Sequence, residues 1–237
     1  MTTKIEWTEK TINVVTGCKQ ISAGCKNCYA IKMTRRLKGM GIEKYKKGFD
    51  VVFHEEAIKK IGVGNEKRIF LNSMSDTFNE EISNEQIFKM FNEMAYQCIR
   101  HNGKKVYQVL TKRATRMWLM DKMLPWAENI WMGVTVEDNI SKPRIKLLRE
   151  TGAKVKFISF EPLLEEIKKL DLRGIDWVII GGETGPGARK METKWAIEIR
   201  DLCIKEGVPL FFKNTGGNNS AKKSDLLEGR VWHEFPR

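Results

Sequence analysis

Residues that bind single metal ions are scarce in this chain. It has five cysteines and three histidines in 237 residues. His54, His101 and His233 are far apart and form no ligand spacing, so a histidine-based zinc site has no pattern to rest on. No apolar run approaches the roughly 20 residues that cross a bilayer. The opening Met1-Thr2-Thr3-Lys4-Ile5-Glu6-Trp7 has no signal-peptide core. A cytoplasmic protein without a membrane partner is expected, and thiols in that compartment argue against a disulfide framework. Low-complexity tracts are absent and apolar residues make up 41% of the chain, which excludes the disordered and fibrous classes. Acids are also under-represented, with 30 against 42 Lys and Arg, for a net charge of +12. Such a balance favours a polyanionic partner, DNA or RNA first. The plainer alternative is a lysine-solvated surface. Basic clusters fall at 32–38, at 44–47, at Lys104-Lys105, and at Lys112, Arg113 and Arg116, spread along the chain rather than gathered in a tail.

The sulfur that is present is concentrated. Cys18, Cys25 and Cys28 fall in eleven residues, within Gly17-Cys18-Lys19-Gln20-Ile21-Ser22-Ala23-Gly24-Cys25-Lys26-Asn27-Cys28. A disulfide would leave one thiol over, and tetrahedral zinc would want a fourth Cys or His nearby. A [4Fe–4S] cluster held by three thiolates fits the odd count and leaves one iron open to a further ligand. Cys25-x-x-Cys28-Tyr29 resembles the end of the cluster loop of radical S-adenosylmethionine (SAM) enzymes. The gap from Cys18 to Cys25 is longer than the usual three residues of that loop. Cys98 and Cys203 lie on apolar helix faces and read as small buried hydrophobes.

Beyond residue 67 short apolar runs alternate with helical patterns. Strands are predicted near 12–15, 68–72, 106–110, 130–136, 155–160, 177–180 and 209–213. Helices are predicted over 29–37, 85–99, 117–123, 143–150 and 194–206. About 6–8 parallel strands of this kind make a partial or complete (β/α) TIM-like barrel in one domain spanning 1–237. A doubly wound open sheet is the second choice. No G-x-G-x-x-G follows the first strand, which leaves a dinucleotide fold without support. Residues 218–237 read as a polar C-terminal tail.

Barrels of this class place their chemistry where strands pass into loops at the C-terminal face. Those positions here carry Ser73, Ser75 and Asp76, then Lys112 and Arg113, Glu137 and Asp138, Glu161, Glu183, and Lys213 with Asn214. A cation at Lys112 or Arg113 suits the SAM carboxylate. Ser73 to Asp76 suits its ammonium, and Glu137, Asp138 or Asn139 suit ribose hydroxyls. Glu183, in Gly181-Gly182-Glu183, is a further cofactor candidate that could contact adenine or substrate or be structural. No catalytic residue is singled out. A structural zinc site in a nucleic-acid-binding protein, and a hydrolase whose carboxylates hold Mg²⁺, are the rival readings.

Nearly the whole chain also resembles a phage- and prophage-associated family of radical-SAM-like proteins. The resemblance is carried by Ile5-Glu6-Trp7-Thr8, Thr16-Gly17-Cys18, Gly24-Cys25-x-x-Cys28-Tyr29-Ala30, Asn72-Ser73-Met74-Ser75-Asp76, Gln108-Val109-Leu110-Thr111-Lys112-Arg113, Gly133-Val134-Thr135-Val136-Glu137-Asp138, Glu161-Pro162-Leu163, Gly181-Gly182-Glu183-Thr184-Gly185-Pro186-Gly187-Ala188-Arg189 and Pro209-Leu210-Phe211-Phe212-Lys213. It implies a barrel of the radical SAM type with a [4Fe–4S] cluster on Cys18, Cys25 and Cys28. It also implies SAM bound at the strand-end residues, a 5′-deoxyadenosyl radical as the reactive species, and an electron donor such as flavodoxin or ferredoxin. DNA or RNA modification or repair is the expected work. The resemblance specifies a family and not a reaction.

Overall fold

A computed structural model describes residues 3–218 and 224–236. The elements follow in the order β1 (Lys10–Ile12), β2 (Val15–Thr16), α1 (Tyr29–Gly39), β3 (Val52–Phe53), β4 (Arg68–Leu71), α2 (Asn84–Arg100), β5 (Val106–Thr111), α3 (Ala114–Leu119), β6 (Ile130–Thr135), α4 (Arg144–Arg149), β7 (Val155–Phe160), β8 (Trp177–Gly181), α5 (Thr193–Glu206), β9 (Leu210–Asn214), β10 (Leu226–Leu227) and β11 (Arg230–Val231). Seven of the strands form one parallel sheet, β1-β4-β5-β6-β7-β8-β9. The sheet curls into a half-barrel with β1 and β9 at its two edges, the partial form of the expected TIM-like barrel. Its order is the chain order, without the reversal that defines a doubly wound sheet.

The strands read as near-continuous apolar runs because the sheet is covered on both faces. In β6 all six residues, Ile130 to Thr135, are buried. On the outer face Ile87, Met90, Phe91 and Met94 of α2 supply a helical stripe to the main core. Its start is fixed by a capping box, with Ser83 Oγ accepting from the Gln86 amide at 3.1 Å and Gln86 Oε1 accepting from the Ser83 amide at 3.0 Å. The predicted first strand at 12–15 is divided. Lys10–Ile12 joins the sheet, while Val15–Thr16 pairs antiparallel with Val52–Phe53. The Asn72 carboxamide is involved, since its Oδ1 accepts from the Val15 amide at 2.9 Å just after the chain leaves β1.

The inner face runs from bulky to small along the strands. Phe70, Trp131, Phe157, Trp177 and Phe211 converge with Trp7 into an aromatic floor. Trp177 sits fully buried at its centre, 5.5 Å from the Phe157 ring and 5.9 Å from Trp131. Burying a ring system of about 200 Å² at about 25 cal/mol per Å² stabilises the fold by about 5 kcal/mol. Further along the strands the same face carries Thr135, Ser159 and Lys213, so the bottom of the half-barrel is filled and its top is hollow.

The segment expected to be a polar tail lies partly outside the described residues, at 219–223 and 237. Its described part has no helix and packs against β9. The Phe212 amide donates to the Trp232 carbonyl at 2.7 Å, and the Glu234 amide donates to the Leu210 carbonyl at 3.0 Å. Trp232 is buried and Phe235 packs 5.3 Å from the Trp177 ring. A few apolar anchors in a polar stretch are enough to fasten it along the edge of β9. Among the described residues no helix is long and apolar enough to cross a membrane.

Candidate functional site

The cysteine loop opens at Gly17, whose φ of 77° and approach to the Asp50 carbonyl, 2.0 Å from where a Cβ would stand, leave room for glycine alone. A 3-10 turn over Ala23–Cys25 carries the chain to Cys28, the N-cap of α1. Cys18, Cys25 and Cys28 are all free thiols and all line one cavity of about 240 Å³ at the C-terminal rim of the sheet. The aromatic floor rises into this cavity through Trp7 and Phe70. The Trp7 indole nitrogen is buried and has no hydrogen-bond partner among the described residues.

Three of the expected cofactor carboxylates are occupied in holding this loop. Asp76 accepts from Thr111 Oγ1 at 2.7 Å, from the Lys112 amide at 2.9 Å and from Arg113 Nη1 at 3.2 Å. The Arg113 guanidinium also reaches Glu80 at 2.8 Å, the Lys19 carbonyl at 3.1 Å and Cys18 Sγ at 3.6 Å. Burial and the Asp76 charge push the Cys18 thiol up, and Arg113 opposes them. Glu137 is fully buried. It accepts from Ser22 Oγ at 2.5 Å and pairs with Lys112 at 2.9 Å and with Arg144 at 2.7 Å. Burial pushes its carboxyl up, but the two cations outweigh it and hold the group down at about 2. Gly24 passes so close to Glu137 that a Cβ would stand 2.6 Å from its carboxylate oxygen. Glu183 accepts from Asn27 Nδ2 at 2.8 Å and pairs with Arg189. Burial raises it, and Arg189 and Asn27 lower it further, to about 2.

The cavity therefore gathers seven of the nine predicted cofactor residues: Ser73, Ser75, Asp76, Lys112, Arg113, Glu161 and Glu183. Glu137 stands behind the wall, and Asp138 turns away to accept from the Ser141 amide at 2.8 Å. Ser73 donates to Asn13 Oδ1 at 3.2 Å and Ser75 to the Gly17 carbonyl. Glu161 and Lys213, 2.9 Å apart, are the ion pair that faces the cavity without touching the loop. Burial lowers the Lys213 ammonium, and the Glu161 carboxylate more than offsets it and keeps the lysine charged. Tyr29 is half exposed and donates its hydroxyl to the Ser73 carbonyl.

Residues 2–236 match one protein family across almost the full chain. The chain belongs to the DUF5131 family. That family is described as a protein of unknown function, so membership carries no reaction with it. No curated protein matches the chain. In this DUF5131 chain the anchors that sequence reasoning overlooked are Ser22, Asn27 and Arg144. Ser22 and Asn27 were open to notice as polar residues inside the cysteine loop. Their partners, Glu137 and Glu183, lie more than a hundred residues away.

The donor set can be tested against the metals it was expected to hold. Among the described residues no three His, Cys, Asp or Glu side chains converge closely enough for one metal ion. A tetrahedral zinc would draw its thiolates to about 4 Å from each other. A cubane gives each thiolate its own iron and tolerates wider spacing. Cys18, Cys25 and Cys28 all line the cavity, and no fourth Cys and no His stands with them in its lining, so the thiols there number three.

Proposed function

We propose that this chain is a radical-SAM-like enzyme whose Cys18, Cys25 and Cys28 hold a [4Fe–4S] cluster with one iron open. The observation that carries the reading is the three free thiols lining one hollow at the strand ends, without a fourth Cys or His beside them. Such a cluster, when bound, supplies the electron that cleaves SAM to methionine and a 5′-deoxyadenosyl radical. The protein's own share is placement and shielding. Asp76, Glu137 and Glu183 fix three points of the loop through Arg113, Ser22 and Asn27. Arg113 keeps a cationic N–H directed at Cys18 Sγ, which favours the thiolate. Glu161, paired with Lys213, is the carboxylate left facing the hollow, and we assign it to the charged groups of SAM. The aromatic floor keeps water out from below.

A mononuclear zinc protein and a Mg²⁺ hydrolase find no converging ligand set among the described residues. Anaerobic reconstitution tests the proposal. It should give about four irons per chain with absorbance near about 400 nm, and dithionite should then release 5′-deoxyadenosine and methionine from SAM. Cys25→Ala should lose both. A colourless protein carrying one zinc, or iron retained by Cys25→Ala, would overturn the reading.

A further inference from the structure

The basic clusters seen in the sequence have different fates in the fold. Lys105 is buried and donates to the Gly62 and Gly64 carbonyls at 2.8 and 2.6 Å. Lys112 and Arg113 are paired inside the site. Arg116 is turned to the Asn79 and Ile82 carbonyls. These cations serve the structure and leave nothing for a partner.

The stretch from Lys26 to Lys47 behaves differently. It holds eight Lys and Arg against one acid, Glu43, which pairs with Lys46. Lys26, Arg35, Arg36, Lys38 and Lys47 are exposed, and among the described residues no carboxylate lies within ion-pair distance of them. Tyr29, Lys32, Met33, Arg36 and Met40 follow helical spacing and share one outer stripe. Tyr29 is 51% exposed, Met33 41% and Met40 61%. The stripe begins beside Cys28 at the cavity mouth and runs the eleven residues of α1, about 16 Å. Cations interleaved with an aromatic ring and flexible apolar side chains suit a phosphate backbone and unpaired bases together.

We infer that this face of α1 and the loop after it bind a single-stranded polynucleotide and lead it to the cavity mouth. Only the second half of that statement rests on the proposed SAM chemistry, because the charged face stands without it. An acidic protein is the competing occupant. It would use the cations but has no need of the ring and methionines beside them.

The test is binding of a fluorescent 20-residue deoxythymidylate strand by the full chain, followed by anisotropy from low to high salt. Lys32→Glu and Arg36→Glu on the stripe, combined with Lys47→Glu in the loop after it, should weaken binding at least tenfold. The slope of log K against log salt should fall by about 2, at about 0.7 per lost phosphate contact. Lys104→Glu, Lys146→Glu and Lys205→Glu combined change the net charge equally at exposed sites elsewhere, and should leave affinity within about threefold of wild type. Equal loss in both triples, or loss in neither, overturns the inference. Competition by polyglutamate as effective as that by unlabelled strand also overturns it, in favour of an acidic protein. Binding is read whether or not the chain cleaves SAM, so failure of the SAM chemistry leaves this result standing.

Discussion

Replacing Glu137 by glutamine keeps its shape and removes its charge. The carboxylate is fully buried between Lys112 at 2.9 Å and Arg144 at 2.7 Å. Glu137→Gln leaves two cations facing a neutral amide. Breaking a buried pair by removing one partner costs about 3–5 kcal/mol. The titration gives a second estimate. Its carboxyl falls from an ordinary 4.5 to about 2, which is worth about 3 kcal/mol at neutral pH. The sign follows from the direction of the shift. A carboxylate depressed on folding contributes fully above its unfolded value of 4.5 and loses that contribution as pH falls towards 2. Urea unfolding of both proteins at pH 7 should therefore differ by about 3 kcal/mol, and by only about 1 kcal/mol at pH 3. A difference below about 1 kcal/mol at pH 7 would mean that the two cations find solvent without Glu137. A difference that stays constant to pH 3 would mean that packing, not charge, holds the residue. Either result would refute the assignment of Glu137 as the charged anchor of the cysteine loop.

Two further outcomes follow from the packing. Gly133→Ala places a Cβ 2.4 Å from the Phe157 ring, inside the aromatic floor, and overpacking of this kind should lower stability by about 1–3 kcal/mol, read as a lower urea midpoint with unchanged slope. Ser83→Ala removes one half of the α2 capping box and should cost about 1 kcal/mol, whereas Ser83→Asp should restore most of it in the same assay.

The strands were legible because a sheet covered on both sides writes its members as apolar runs. Val155 to Phe160 and Trp177 to Gly181 are placed almost residue for residue. The first strand was harder, because β1 is a three-residue edge whose apolar neighbours Val14 and Val15 are buried elsewhere. The packing of the C-terminal segment was hidden by its mean polarity, since Leu227, Trp232 and Phe235 are too widely spaced to lower it. At the rim, the side chains named from the sequence do stand at the strand ends, and what the sequence left unread is their partners. Asp76, Glu137 and Glu183 looked available for a cofactor. Each is held by a partner such as Arg113, Arg144 or Arg189. Residue type and strand register can be read along a chain. The pairing of side chains across loops is settled only when the sheet curls.

Closure of the half-barrel from beneath has a consequence for timing. With Trp7, Phe157 and Trp177 packed across the bottom, the hollow behaves as a vessel filled from above. Whatever settles deepest must load before anything that rests across the opening, and must depart after it. The strand proposed to lie along α1 would cross that opening, and the deepest occupant could leave only once it had lifted.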